Sequence, residues 1–339
     1  MNNVSLKDIA ARAGVSFQTV SKVLKGKGSV SPETRAEILQ IAEQLGYVPN
    51  AVAQSLVRKH TGTIGIVASD FSDYVLAQLV VAAEREARRQ GQCAIVGSIA
   101  QDGSDIERYI HLLLERRVDG ILLAASQCEQ NPHIATLLRG PLPVVSTFHV
   151  PGGNFVTVGS SNTTVGLLAT QHLLTLGHRR IGMITGPSWR RATQSRLRGY
   201  QRALAEADIP YDPALVEESD WEVEGGYAAT MRLLKRVPDL TALFVQNDMM
   251  AIGTLSALHE QGVRVPQDCA VVGCDDIPLA AHTIPPLTTV HLPYYETGET
   301  AMRLLLDIVS GRVTEPERIL LPVYLVNRMS SGDNATAPR

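Results

Sequence analysis

A chain of 339 residues that is 45% hydrophobic can fill two or three sizeable cores. It has no eighteen-residue apolar run and no basic-then-apolar leader, so a membrane-spanning or exported protein is not expected. The net charge of -3 hides an asymmetry: residues 1 to 60 carry eight Lys and Arg against four acids and are +4, which leaves the remainder at -7 and confines any phosphate-binding surface to the first segment.

Ser5 followed by Asp8 reads as a capping box, and Leu6, Ile9, Ala10 and Ala13 recur at helical spacing until Gly14 stops the helix. Ser16 is the natural cap of a second helix whose buried stripe is Val20, Val23 and Leu24, leaving Phe17, Gln18, Ser21 and Lys22 outward. Two short helices joined by a tight glycine turn form a helix-turn-helix, and its exposed chemistry suits a major groove. Gln18 can pair with adenine, Thr19 and Ser21 can reach phosphate or a base edge, Lys22 can reach phosphate or guanine, and Phe17 can pack on a thymine methyl. A third helix is expected from Ser31-Pro32 to Gly46, burying Ile38, Ala42 and Leu45, and after Tyr47-Val-Pro-Asn50 a short helical stretch follows over 51 to 57. Leu56 there could wedge between base steps or pack on the next domain.

From Thr61 strand and helix signals alternate in two cycles. The first has strands at Thr63–Ala68, Cys93–Val96, Val118–Leu123 and Val144–Val145, with helices over 75–90, 104–117 and 131–139. The second starts after Asn162, with strands at Arg180–Ile184, 214–218, Ala242–Val245 and Cys269–Gly273 between helices over 163–176, 192–207, 223–236 and 248–261. Two doubly wound, mostly parallel sheets are expected, completed by late elements that cross back. The boundaries read as 1–48, a linker at 49–60, 61–161 with 290–320, 162–289 with 321–329, and a disordered tail at 330–339. Cys93, Cys128, Cys269 and Cys274 lack metal-knuckle or secreted-scaffold spacing and are expected as buried thiols in a reducing, cytoplasmic compartment.

A cleft between two open sheets, at the carboxyl ends of the strands, is the default place for a small ligand. Polar and aromatic residues just past strand ends populate it: Phe71, Ser72, Asp73 and Tyr74, then Phe148, Trp189, Arg196 and Trp221, and finally Asn247 and Asp275. Directional donors and acceptors around an aromatic face suit a polyhydroxylated ring. No glycine-rich dinucleotide turn, phosphate loop, metal-ligand helix or nucleophile elbow is present, and neither a catalytic residue, a cofactor nor a metal is expected.

These segments together resemble the lactose-repressor/galactose-repressor family of bacterial transcriptional regulators, from about Val4 to Arg328. The resemblance rests on Leu6 to Leu24, Val30-Ser-Pro-Glu-Thr-Arg35, Leu45-Gly-Tyr-Val-Pro-Asn50, Leu176-Gly-His-Arg-Arg-Ile181, Arg196-Leu-Arg-Gly199, Asn247-Asp-Met-Met-Ala-Ile-Gly253, Val271-Val-Gly-Cys-Asp-Asp276 and Pro285-Pro-Leu-Thr-Thr-Val290. It implies an all-α helix-turn-helix domain followed by a periplasmic-binding-protein-like α/β core, acting as a homodimer on palindromic operator DNA. Ser5, Leu6, Ser16, Phe17, Gln18, Thr19, Ser21 and Lys22 would contact the major groove and its phosphates. Asn50, Ala53 and Leu56 would serve the minor groove from a hinge helix. Phe71 to Tyr74, Phe148, Arg196, Trp221, Asn247 and Asp275 would bind a small sugar-like effector.

The resemblance implies a repressor of carbohydrate-utilisation genes. A nucleoside or a partner protein as the controlling ligand, or a sugar-binding transport protein, are the alternatives. Three departures mark the pocket: Phe148 replaces a common aspartate, Asp73-Tyr-Val-Leu76 replaces an Asn-Pro-Phe-Phe run, and Cys274 replaces an aromatic. The residues from Ser330 carry no apolar heptad, so a tetramerising coiled coil is not expected.

Overall fold

The structure, a computed structural model, describes residues 4–24, 26, 28, 30–47, 60–314 and 317–332. The linker expected at 49–60, with Asn50, Ala53 and Leu56, lies outside the described residues apart from His60. Two compact units are present, residues 1–61 and 62–339.

The first unit is built from α1 (Leu6–Arg12), α2 (Phe17–Leu24) and α3 (Pro32–Gln44). Each begins where a short polar side chain can take up orphan backbone N–H groups or be held by one. Asp8 accepts from the Ser5 N–H at 2.8 Å, Ser16 Oγ accepts from the Thr19 N–H at 3.1 Å, and Ser31 Oγ accepts from the Thr34 N–H at 3.2 Å. Ile9, Ala10, Val20, Val23, Ile38, Ile41 and Ala42 form the core, which a unit of this size needs in full to hold together. Leu24 and Leu45, expected within that core, are only partly buried and pack at its margin.

The second unit contains two six-stranded sheets. The first lobe takes β1 (Thr63–Ala68), α4 (Tyr74–Arg89), β2 (Cys93–Ser98), α5 (Ile106–Glu115), β3 (Gly120–Ala124), α6 (His133–Leu137), β4 (Val144–Ser146) and β5 (Val156–Ser160). The second lobe takes α7 (Asn162–Thr175), β6 (Ile181–Thr185), α8 (Arg191–Glu206), β7 (Val216–Glu218), α9 (Val223–Arg236), β8 (Ala242–Val245), α10 (Asp248–Glu260), β9 (Ala270–Asp275) and β10 (Thr288–His291). The chain then returns through α11 (Tyr294–Val309) and β11 (Ile319–Leu321) to the first lobe, and through β12 (Tyr324–Val326) to the second.

Strand order is β11-β5-β4-β3-β1-β2 in one sheet and β12-β10-β9-β8-β6-β7 in the other, the same winding twice without a residue-level repeat. All pairings are parallel except β10 with β12, an antiparallel edge. Strands buried on both faces explain the continuous apolar runs at β1, β3, β6, β8 and β9.

Three expected boundaries change. Val290 and His291 pair with β9 and stay in the second lobe, while Leu321 pairs with Ser160 and belongs to the first. Ser330 and Ser331 are buried, not part of a free tail: Ser330 Oγ accepts from the Thr288 N–H and donates to the Val271 carbonyl, and Ser331 Oγ meets Thr288 Oγ1 and His172 Nε2, each at 2.8 Å. Cys93, expected to be buried, is exposed because β2 is an edge strand; the other three thiols are buried.

Helices cover the sheets in tightly crossed pairs. Gly166 and Gly199 let α7 and α8 touch backbone to backbone, and Gly226 and Gly253 do the same for α9 and α10. That intimacy fixes the height of every side chain projecting from α8 toward the gap between the lobes.

Candidate functional site

The chain crosses between the lobes three times, after β5, after β10 and after β11, and a cleft of about 740 Å³ lies between them. Among its lining residues is Arg196 on α8, buried at 4% exposure. A buried guanidinium needs acceptors for its donors. Nε donates to Asn162 Oδ1 at 2.9 Å, Nη1 donates to the Gln246 carbonyl, and Nη2 lies 3.7 Å from Asp275 Oδ1. Its carbon also lies 5.6 Å from the centre of the Trp221 ring, within cation–π range.

Asp275 ends β9, and its carboxylate accepts from Tyr294 Oη at 3.0 Å. Burial pushes its pKa up to about 6, against the opposing pull of Arg196. Asp275 (φ +115°), Asp276 (φ +58°) and Trp221 (φ +79°) are non-glycine residues in left-handed backbone, a conformation kept where surrounding structure over-determines it. Trp221 shows how. Asn247 Nδ2 donates to the Trp221 carbonyl at 2.9 Å, and Gly186 leaves room for the indole, since a methyl there would lie 2.6 Å from its Cδ2.

Asn247 lines the cleft and also braces its wall. Its Oδ1 accepts from the Met250 N–H at 2.8 Å, capping α10, so both ends of the amide are engaged and it positions Trp221. Asp248 is also structural: it is buried and accepts from Thr289 Oγ1 at 2.7 Å and the Ile277 N–H at 2.9 Å, with burial holding its pKa well above the carboxylate range.

Of the expected contacts, Ser72, Asp73, Phe148, Arg196, Trp221, Asn247 and Asp275 line the cleft. Phe71, Tyr74 and Trp189 do not. Asp73 caps α4 by accepting from the Val75 and Leu76 N–H groups, and this start leaves Phe71 and Tyr74 44% and 45% exposed, outside the cleft lining. Residues missed from the sequence are Gln127, Glu129, Arg190, Arg191 and Tyr294. Gln127 and Glu129 follow β3 in a turn of 3₁₀-helix (Ser126–Gln130), so the strand-end rule would have found them had it been applied there.

On the first unit Phe17, Gln18 and Lys22 are exposed, and Thr19 and Ser21 partly so, along α2 and its first turn. Among the described residues no cluster of three metal-ligating side chains occurs, and no helix is long and apolar enough to cross a membrane.

A small helix-turn-helix unit with an open polar recognition helix, on the same chain as a two-lobed α/β core with a polar cleft, defines a ligand-controlled DNA-binding protein. Comparison with known proteins gives the particular family. Residues 5–50 match the lacI family of bacterial regulatory proteins, and residues 170–331 match the periplasmic binding protein-like domain. The chain is 36% identical over 334 residues to the transcriptional regulator CelR of Thermobifida fusca, covering 96% of this chain and 98% of that one. It is 33% identical over 329 residues to the transcriptional repressor PurR of Haemophilus influenzae, again covering 96% and 98%.

Among solved structures it resembles a lac repressor dimer bound to operator and the anti-inducer ONPF (TM-score 0.88, 31% identity, 98% and 100% covered). It also resembles a CelR–cellobiose complex (TM-score 0.74, 35% identity, 96% and 99% covered). The chain belongs to the lacI family: it is a non-catalytic, sequence-specific DNA-binding regulator governed by a small-molecule effector.

Proposed function

We propose that this regulator is a homodimeric repressor on a palindromic operator, and that its effector is a nucleoside-type compound bound between the lobes. The observation that carries the ligand reading is the pair of aromatic side chains lining one cleft from opposite lobes, Phe148 after β4 and Trp221 before α9. A planar heterocycle has two faces to stack, whereas a sugar ring packs one C–H face on indole and wants acceptors on the other side. Arg196 and Asp275 supply a donor and an acceptor for its edge.

A disaccharide is the second reading. It is favoured by the likeness to CelR, solved with cellobiose, and by the volume of the cleft. In either case the effector joins groups from both lobes and so biases their closure. Through residues 50 to 57, closure sets whether two headpieces can hold the operator. Phe17, Gln18 and Lys22 read the major groove, with Ser5, Leu6, Ser16, Thr19 and Ser21 on phosphates and flanking bases. Asn50, Ala53 and Leu56 act in the minor groove.

Thermal shift and calorimetric titration of the full chain with adenosine, guanosine, inosine and their bases, against cellobiose and hexoses, test the ligand. A bound compound at 100 times its Kd stabilises by about 2.7 kcal/mol. Response to a nucleoside or base, lost in Trp221→Ala, supports the reading; response to cellobiose alone overturns it in favour of the carbohydrate.

A further inference from the structure

The lobes are joined by more than their crossing segments. Glu129 belongs to the first lobe and Arg191 is the first residue of α8 in the second, yet Glu129 Oε2 accepts from the Arg191 N–H at 3.2 Å. The first N–H groups of a helix have no partner within it and carry partial positive charge. The cap residue of α8, Arg190, offers no acceptor side chain, so the missing one arrives from across the cleft. Arg190 stacks over Trp189 at 4.6 Å and is drawn electrostatically to both Glu129 and Asp73, two carboxylates of the first lobe.

The corner has donors in surplus. Arg190 Nε is buried without a partner, and so is the Thr193 hydroxyl, on a residue 3% exposed. The cationic groups Arg190 and Arg191 and the α8 terminus already face two resident carboxylates.

We propose that Glu129 is a positioning and specificity-determining residue: its carboxylate, seated on the α8 N-terminus, latches the two lobes together and occupies the place an acidic effector group would take, so that the cleft admits neutral ligands. The unpartnered donors beside it remain for uncharged acceptors such as hydroxyl or carbonyl oxygens. A further anion would meet Glu129 and Asp73 as like charges in a partly desolvated corner, where repulsion is felt strongly. The inference rests on the cleft being the effector site and holds for either neutral ligand class.

Two measurements on the full chain, made with no effector added, test it. The protein has two tryptophans, so in a Trp189→Phe background Trp221 alone reports lobe opening through acrylamide quenching. Glu129→Ala should raise the open-to-closed ratio about tenfold, equivalent to about 1.4 kcal/mol, and quenching with it. Glu129→Gln should stay near the parent, because its amide oxygen still accepts from Arg191.

The second measurement is thermal shift with inorganic phosphate. Both variants should be stabilised by phosphate where the parent is not, and Glu129→Gln decides this alone should Glu129→Ala fail to fold. Unchanged quenching in a folded Glu129→Ala overturns the latch, and equal phosphate responses in parent and Glu129→Gln overturn the exclusion. Neither readout uses a nucleoside or sugar, so failure here is distinct from a wrong effector class.

Discussion

Replacing Gly166 by alanine should disable the cleft without touching it. The added methyl would lie 2.8 Å from the carbonyl carbon and 3.0 Å from the Cα of Arg196, and closer still to its carbonyl oxygen. Ordinary contact begins at 3.4 Å, so the gap from 2.8 Å requires α7 and α8 to part by at least 0.6 Å. Backbone cannot swing aside as a side-chain end does, and overpacking of this kind costs about 1–3 kcal/mol. For a core of this size that is a fall in Tm of about 2–4 °C per kcal/mol.

The larger consequence is local. Arg196 is tied to Asn162 on α7 at 2.9 Å, and separating the helices stretches that bond while moving the guanidinium relative to Asp275 and Trp221. Losing one charge-assisted contact to a ligand costs about 1.5–3 kcal/mol, a weakening of roughly 10- to 150-fold. Titration with whichever compound stabilises the parent reads the affinity, and fluorescence anisotropy on an operator reads DNA binding. Because the headpiece has its own core, DNA affinity in the absence of ligand should persist. A Gly166→Ala protein with the parental Tm and ligand affinity would refute the claim that backbone contact sets the position of Arg196.

Asp275 should make the core sensitive to pH. Its pKa of about 6 in the fold lies above the ordinary 3.8, so between these values the folded protein holds a proton that the unfolded chain has released. Stability from this group is therefore greatest below pH 3.8 and is lost as pH rises through 6, by an amount on the order of 1–3 kcal/mol. The difference in unfolding free energy between parent and Asp275→Asn, followed from pH 4 to 7.5, should show that slope; a flat difference rejects it. On the headpiece, Lys22→Ala should reduce the salt dependence of operator binding by about one unit of slope. Gln18→Ala should leave the slope unchanged and relax base preference by about 1–3 kcal/mol at one position, and a selection experiment showing an unaltered site would count against Gln18 as a reader.

Local chemistry made much of this molecule legible. Ser5, Ser16 and Ser31 announce three helix starts because a capping residue acts within four positions of itself, and buried parallel strands announce themselves as apolar runs. The rule that ligands gather past strand ends placed Arg196, Trp221 and Asp275 correctly within one cleft. It failed for Phe71 and Tyr74, since proximity to a strand end does not say which way a side chain turns once Asp73 has set the first turn of α4. Asn247 was legible as a cleft residue, but its bond to the Trp221 carbonyl, 26 positions away, was not, and neither was the bond between Asp248 and Thr289, 41 positions apart. The Glu129–Arg191 contact spans 62 positions and two lobes, a pairing no window of sequence contains. Ser330 and Ser331 read as tail because polar residues look free until their acceptors are seen.

The triple crossing between lobes has a consequence for how the protein is made. Neither sheet can close until residues 319 to 326 have left the ribosome, because β11 and β12 supply the last strand to each. The headpiece, whose core lies wholly within residues 9 to 42, can fold while the rest is still being synthesised. During translation, then, the helix-turn-helix surface is complete before the two-lobed core. Both half-built sheets meanwhile wait with open edges β5 and β10, the positions most in need of protection from other chains.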